Sequence, residues 1–383
     1  MRDGFNRRDT PAPTLSDECK IVPPPGSIER VPSSKPPAWV WMVLVVVCVV
    51  ALMVLLYKSG IRNLASGGFM FGGVGLMSGF MLLRRGGFGG RRRSAAAVND
   101  HRATTLRELD TLRDWVHDRA AAQAAEIAYH HPHPENELLT LVGSPRMWER
   151  RPGAPNFGHV RFGVGITRLG VGRDSILIPP AEVPPEECQE AVTAIAVRDF
   201  LLTQNVVHDV PRQLHLFDQR GWWFHAPPEQ RPALQSTLRA MLCQLAVFHG
   251  PDDVTVAVVS DDLEAWEWCK WLPHTADPEL VDASGPARLL FGDVAAFMAR
   301  FGDQLNARPQ WAARTIGSRD PDSWMVVVVD SPGAGCAPIL GPSGRAGLSV
   351  IEATGDENSI LAVRETAFAL DDGGNLLKAP ERN

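Results

Sequence analysis

The chain has 383 residues, of which 45% are hydrophobic and 21% are charged, so it can bury a sizeable core in one or two domains. Its formal net charge of −6, without a basic face, argues against a nucleic-acid partner. The six cysteines are scattered without CxxC or His-x-Cys spacing, which argues against a disulfide framework or a zinc site and indicates a reducing compartment.

The first 57 residues divide into a proline-rich segment and an apolar run. Residues 1–38 contain repeated prolines, which predicts an extended or disordered cytoplasmic N-terminus. Residues 39–57 carry no charge, and a helix of that length would nearly span a hydrocarbon core of about 30 Å. Trp39, Trp41 and Tyr57 stand at its ends, where aromatic rings meet the headgroups. We predict a transmembrane helix.

A second uncharged run, residues 64–83, predicts the other helix of a transmembrane hairpin. Its glycines recur at spacings of four, three and four, which places them on one helix face and favours close packing against another helix. A Gly-rich re-entrant or surface loop is the alternative. The predicted packing residues are Gly68, Gly72, Gly75 and Gly79.

An arginine cluster follows the second run and predicts the topology. Basic residues concentrate on the cytoplasmic side of membrane helices, so the C-terminal part is expected in the cytoplasm. Two crossings return the N-terminus to the same side. The chain is therefore predicted to be a multi-pass inner-membrane protein with both termini cytoplasmic and with anionic lipid as a partner. The topology residues are Arg84, Arg85, Arg91, Arg92 and Arg93.

Residues 84–134 are predicted to form a basic juxtamembrane segment and a stalk helix. Residues 94–129 hold neither Gly nor Pro, which indicates a helix about 54 Å long. Arg113 interrupts its apolar stripe, so packing against a partner or its own domain is expected rather than a self-paired coiled coil. The prolines around His130, His131 and His133 favour a linker over a metal site. The predicted stripe is Leu106, Leu109, Val116, Ala120, Ala124 and Ile127.

Residues 135–383 alternate between strand-like and helix-like patterns, which predicts an α/β domain with a mostly parallel sheet. The runs VTVAVVS and MVVVVD are typical of strands buried on both faces. Residues 214–217 and 222–225 are predicted to be two strands around a turn. The other predicted strands are 160–166, 176–180, 253–260, 288–291, 325–330, 348–352 and 360–363, and the predicted helices are 185–202, 229–249, 261–270 and 294–306.

The domain does not carry the motif of an active nucleotide site. A phosphate-binding loop should place GxxxxGK[ST] between a strand and its helix, but the connection after the strand at 222–225 reads HAPPEQ. The Gly-rich GPSGRAG of residues 341–347 lacks the lysine and precedes a strand. Asp330 closes an apolar strand, as does the aspartate that holds magnesium in such folds. Asp330 is the candidate nucleotide-site residue, and no catalytic or metal residue is predicted.

Other constellations indicate packing rather than chemistry. Neither GxSxG nor HExxH occurs in the sequence. Clustered aromatic and basic residues near 270 suggest either a cation–π site or rings that pack one end of the sheet under a lysine stem. We favour packing for this cluster, which consists of Trp266, Trp268, Lys270, Trp271 and His274.

Several strings resemble a known family. GSPRMWER (143–150), RFGVGITR (161–168), the block at 241–274 and the hairpin followed by arginines are similar to EccC. EccC is the membrane-anchored FtsK/SpoIIIE-type ATPase of type VII (ESX) secretion. The resemblance covers roughly residues 20–383 and corresponds to that family's N-terminal portion.

The resemblance implies a degenerate RecA/FtsK-like domain over residues 135–383. It implies anchoring and assembly with other ESX membrane components of the EccB, EccD and EccE type, in an oligomeric secretion complex. No cofactor is expected in this chain, since ATP and magnesium belong to the family's downstream domains. An active small ATPase, an FtsK-like DNA translocase and a scaffold without motor domains are the alternatives.

Overall fold

The computed structural model describes residues 12–28, 95–171, 174–313, 321 and 323–378, with a few isolated helical positions between 47 and 58. Both predicted transmembrane helices therefore lie mainly outside the described residues. So do the predicted packing glycines and topology arginines, namely Gly68, Gly72, Gly75, Gly79, Arg84, Arg85, Arg91, Arg92 and Arg93.

The predicted multi-pass membrane location is contradicted. In the part of the chain that the structure describes, no helix combines the length and the apolar character needed to cross a bilayer. The long helix Ala95–His130 has 36 residues, but charged side chains such as Arg102, Glu108 and Arg113 recur along it. Each would cost about 2.5–3.5 kcal/mol at a bilayer centre, which rules this helix out as a span.

Helices and strands are interspersed along the described chain. The helices are α1 (Ala95–His130), α2 (Ala191–Thr203), α3 (Arg231–Phe248), α4 (Leu263–Trp266), α5 (Val294–Ala307) and α6 (Ala337–Leu340). The strands are β1 (Lys20–Ile21), β2 (His159–Arg168), β3 (Gly170–Val171), β4 (Asp174–Ser175), β5 (Leu177–Ile178), β6 (Val206–His215), β7 (Gly221–His225), β8 (Val254–Ser260), β9 (Ala276–Asp282), β10 (Gly285–Arg288), β11 (Leu290–Phe291), β12 (Trp324–Asp330), β13 (Leu348–Glu352), β14 (Ala367–Leu370) and β15 (Leu376–Lys378).

The chain separates into two compact units. Unit 1 consists of Met1–Asp17, Arg119–Val171 and Val206–Asn383, and unit 2 of Glu18–Asp118 and Gly172–Asn205. Unit 1 contains a seven-stranded sheet in the order β11-β8-β12-β13-β7-β14-β15. All neighbours in this sheet are parallel except β14 and β15. The predicted α/β class with a mostly parallel sheet is confirmed.

Helices cover both faces of the sheet. Alternate strand residues point to opposite faces, so Val326 and Val328 pack in the core with α3 and α4, and Val327 and Val329 pack in the core with α5 and α6. All seven residues of β12 are buried. Burial on both faces explains why this strand is an uninterrupted apolar run.

One predicted strand pairing and one predicted strand are wrong. The predicted hairpin of 214–217 and 222–225 does not form, because β6 pairs antiparallel with β2 and β7 pairs parallel with β13 and β14. A 3₁₀ turn at Leu216–Asp218 separates the two sheets. Residues 360–363 form no strand, because the chain makes turns here before β14 begins. Within these turns, Thr366 Oγ1 donates to Leu361 O at 2.7 Å.

Unit 2 packs the first part of α1 with β1, β5 and α2. Glu190 caps α2 by accepting from the N–H groups of Val192 and Thr193, and it receives Arg102 Nη2 at 2.6 Å. Leu106 is 40% exposed, which corrects the predicted stripe at that position. The buried residues of α1 follow one another at spacings of four, three, four and seven and are Thr105, Leu109, Leu112, Val116 and, in unit 1, Gln123.

Candidate functional site at the carboxyl edge of the sheet

The parallel strands bring four polar residues to one edge. Strands β7, β8, β12 and β13 end at His225, Ser260, Asp330 and Glu352. The carboxyl ends of parallel strands meet at the same edge, which is where α/β sheets bind ligands. This edge is therefore the candidate site.

Asp330 lies at the centre of the edge, and the protein itself occupies its carboxylate. Its Oδ1 accepts from Arg231 Nη2 at 2.7 Å. Its Oδ2 accepts from Gln235 Nε2 at 2.8 Å and from Trp266 Nε1 at 2.9 Å. The main-chain oxygen accepts from Ser260 Oγ at 2.9 Å. Asp330 is 1% exposed, so these donors replace the water that the charge loses on burial.

Arg231 provides the counter-charge from the start of a helix. It is the first residue of α3, directly after the segment at which a phosphate loop would lie. Its side chain is 30% exposed, whereas that of Asp330 is 2% exposed. A magnesium ion at Asp330 would have to displace a charge-assisted ion pair and two further donors. The residues present do not fit a magnesium–nucleotide site.

The loop between β7 and α3 offers few donors to a phosphate. Pro227 and Pro228 have no N–H group, nor has Pro232 in the first turn of α3, and the N–H of Gln230 donates to Pro227 O. Residues Pro228–Gln230 form a 3₁₀ turn rather than a Gly-rich cradle. Residues 226–230 therefore do not form the run of successive N–H groups that makes an anion-binding nest.

Glu352, which sequence reasoning did not select, forms a second buried carboxyl group beside Asp330. It is fully buried, and its register partner on β12 is Val329. Burial raises its pKa, although hydroxyl donors from Ser359 and Thr354 act in the opposite direction. These bonds hold the loop after β13. The sequence signal was available, because Glu352 closes the strand LSVIE as Asp330 closes MVVVVD.

The predicted aromatic cluster is divided in the structure. Trp266 is fully buried against Asp330, whereas Trp271 is 79% exposed with Lys270 Nζ lying 5.4 Å from its ring centroid. His274 is buried and its Nε2 lies 2.8 Å from His249 O. The cluster therefore forms no single cation–π site. No group of His, Cys, Asp and Glu among the described residues could hold a metal ion.

Comparison with known proteins finds relatives among the EccC proteins of ESX secretion systems. The chain is 36% identical over 351 residues to the ESX-5 secretion system protein EccC5 of Mycobacterium marinum, covering 87% of this chain and 24% of that protein. It is 32% identical over 318 residues to the ESX secretion system protein EccC of Thermomonospora curvata, covering 81% and 23%. It is 33% identical over 276 residues to the ESX-1 protein EccCa1 of Mycobacterium tuberculosis, covering 70% and 34%.

The chain thus spans about a quarter to a third of the length of these relatives. No family model matches it. A structure of Thermomonospora curvata EccC, comprising ATPases 2 and 3 with a signal sequence peptide, aligns with a TM-score of 0.31 and 15% identity over 45% of this chain and 34% of that one.

Proposed function

Because the chain is a homologue of the EccC proteins of ESX secretion systems, we propose that it is a non-catalytic assembly part of a type VII secretion ATPase, acting in protein export. The α/β domain of unit 1 is proposed to be a degenerate RecA/FtsK-like domain. The observation that carries the non-catalytic role is the carboxylate of Asp330, whose two oxygens accept from Arg231, Gln235 and Trp266.

The engaged carboxylate supports this proposal through charge and geometry. An ATPase needs its strand-end aspartate free to hold water and magnesium near the phosphates. Here Arg231 supplies the positive charge permanently and from within the chain. The neighbouring loop contributes neither a lysine nor a run of free N–H groups. ATP and magnesium are proposed to act elsewhere in the secretion ATPase.

The proposed partners are other ESX components of the EccB, EccD and EccE type, in an oligomeric complex. The relatives are named as components of ESX secretion systems, which supports this choice. The net charge of −6 supports a protein partner rather than DNA.

Two measurements test the proposal. The purified full chain should bind no fluorescent ATP analogue with magnesium and should hydrolyse no ATP above background. Tagged chain should recover the other ESX components from cells equally well before and after ATP depletion. ATP turnover that is lost in Asp330→Asn, with unchanged circular dichroism, would establish the active small ATPase instead. Failure to recover ESX components would contradict the assembly role.

A further inference from the structure

The C-terminal end of α1 is held by arginines from elsewhere in unit 1. Arg146 Nη2 donates to Tyr129 O at 2.8 Å, Arg150 Nη2 donates to His130 O, and Arg161 Nη1 donates to His131 O at 3.1 Å. Three consecutive carbonyl groups at the helix end thus each accept a hydrogen bond from a different guanidinium group. The carbonyl groups at a helix end have no partner within the helix and carry the negative pole of its dipole.

The helix itself supplies no cation for this end. The only basic residue in its last turn is His130, and burial, followed by the charges of Arg150 and Arg146, lowers the pKa of that imidazole. Its ring is therefore neutral at pH 7. The positive charge that the dipole favours comes from the turn before β2 and from β2 itself.

Arg150 is the most deeply buried of the three arginines that contact the helix end. It is 0% exposed, and the described hydrogen bonds of its guanidinium go to the main-chain oxygens of His130 and His159. Its guanidinium carbon lies 4.0 Å from the ring centroid of Phe248. Withdrawing the helix end would remove the acceptor of Nη2 and leave His159 O as the remaining described acceptor of this buried guanidinium, which is unfavourable. Burial already lowers the pKa of Arg150 to about 9.

A second attachment lies further back along α1. Gln123 is 7% exposed, its Nε2 donates to Arg168 O at 3.0 Å, and its Oε1 accepts from Gly170 N at 3.1 Å. Residues 123 and 130 are about 10 Å apart along a helix axis. One attachment would let residues 119–130 pivot, whereas two attachments fix the direction of this part of the helix within unit 1.

The segment that carries Arg146 and Arg150 is also hydrogen-bonded to α3. Trp148 N donates to Val247 O at 2.8 Å and Arg150 N donates to Phe248 O at 2.9 Å, both at the C-terminal end of α3. The N-terminal end of α3 carries Arg231. A displacement of the end of α1 therefore acts on the helix that also holds the carboxyl edge of the sheet.

We propose that the contacts of Gln123, Arg146, Arg150 and Arg161 form a helix-end joint, a two-level mechanical coupling that fixes residues 119–130 of α1, and His131 directly after it, to the sheet domain of unit 1. The joint transmits a push or turn of α1 to α3. The arginines of the joint lie in GSPRMWER and RFGVGITR, so the joint gives these strings a physical role.

The test is hydrogen exchange on the purified full chain carrying Gln123→Ala with Arg161→Ala. Arg146 and Arg150 stay, so the core is preserved. Amides of residues 119–131 should exchange at least about tenfold faster, while those of β8 and β12 keep the wild-type rate. Arg212→Ala is the matched control, because Arg212 Nη1 also donates to a main-chain carbonyl, Ile166 O at 2.9 Å, which takes no part in the contacts of the joint. The control should leave residues 119–131 unchanged.

A second readout rests on the proposed function: ESX-dependent secretion should fall in the double variant but not in Arg212→Ala, with equal chain levels. Unchanged exchange at residues 119–131, or equal acceleration in β8 and β12, would overturn the joint. Faster helix exchange with normal secretion would show a contact that transmits nothing and would overturn the mechanical role. Loss of ESX recovery by the wild-type chain would contradict the proposed function, while the exchange result would still decide on the joint.

Discussion

Replacing Asp330 by Ala removes the acceptor shared by three side chains. The fully buried Trp266 Nε1–H would be left without a partner, which costs about 1–3 kcal/mol. Arg231 would lose its ion pair, but its 30% exposure lets water solvate part of the charge. We therefore expect a loss of about 3–5 kcal/mol in the free energy of unfolding, the range for breaking a buried pair from one side.

A double-mutant cycle separates the pair from its surroundings. Arg231→Ala leaves Asp330 with the donors Gln235 and Trp266, so a smaller loss of about 2–3 kcal/mol is expected. The stability loss of the double variant should be smaller than the sum of the two single-variant losses by about 1–3 kcal/mol. The reason is that the second substitution removes a charge that the first left unpaired.

Urea unfolding of the full chain, followed by far-ultraviolet circular dichroism, gives these energies. Asp303→Ala is the control, because Asp303 is exposed on α5 and its loss should cost no more than about 0.5 kcal/mol. A cost below about 1 kcal/mol for Asp330→Ala would refute the reasoning, as would a coupling energy near zero. A low cost would mean that the carboxylate is hydrated and available to a ligand, and a coupling energy near zero would mean that Arg231 does not stabilise it.

Two further predictions concern pH. Glu190→Gln should cost about 1.5–3 kcal/mol near pH 7. Burial raises the pKa of Glu190, but bonds from Arg102 and the cap outweigh it and hold the pKa at about 2, so the wild-type advantage should shrink as pH falls from about 4.5 towards 2. Burial and Arg150 lower the pKa of His131 to about 2, and burial lowers that of His159 to about 4. Because the unfolded chain binds these protons first as the pH falls, each histidine should cost about 1.4 kcal/mol of stability per pH unit from about 6.5 down to its own folded-state pKa.

The same unfolding assay, repeated at several pH values, checks both. An energy difference for Glu190→Gln that stays constant from pH 7 to pH 3 would contradict the ionised pair. For the histidines, His159→Asn should flatten the slope of stability against pH between 6.5 and 5. An unaltered slope would mean that His159 is protonated in the folded protein.

Local composition alone predicted the strands that are buried on both faces and the long helix that contains neither Gly nor Pro. VTVAVVS and MVVVVD are β8 and β12, because a strand buried on both faces needs apolar side chains at every position. The 36 residues of α1 form the stalk helix that a stretch without Gly or Pro predicted, within one residue at each end. The α/β class followed from the alternation of such elements.

Pairing partners depended on the tertiary structure. The run at 214–217 and the strand at 222–225 look like a hairpin because they are close in sequence, yet they belong to different sheets. Periodicity shows that a segment is a strand but carries no information about which strand it pairs with. The face of α1 was misplaced at Leu106 for a related reason, since only the packed neighbours decide which of two adjacent residues is buried.

The chemistry of the site was decided at still longer range. The sequence singled out Asp330, but its partners Arg231 and Gln235 lie 99 and 95 residues earlier in the chain. Gln123 and Arg146 likewise gave no local signal, since a glutamine on a helix and an arginine in a turn are ordinary surface residues until the fold buries them. The residues that flank Asp330 in the sequence do not show whether its carboxylate oxygens are free or accept hydrogen bonds. Only the fold, by excluding water and bringing distant donors within 3 Å, distinguishes a ligand site from an internal ion pair.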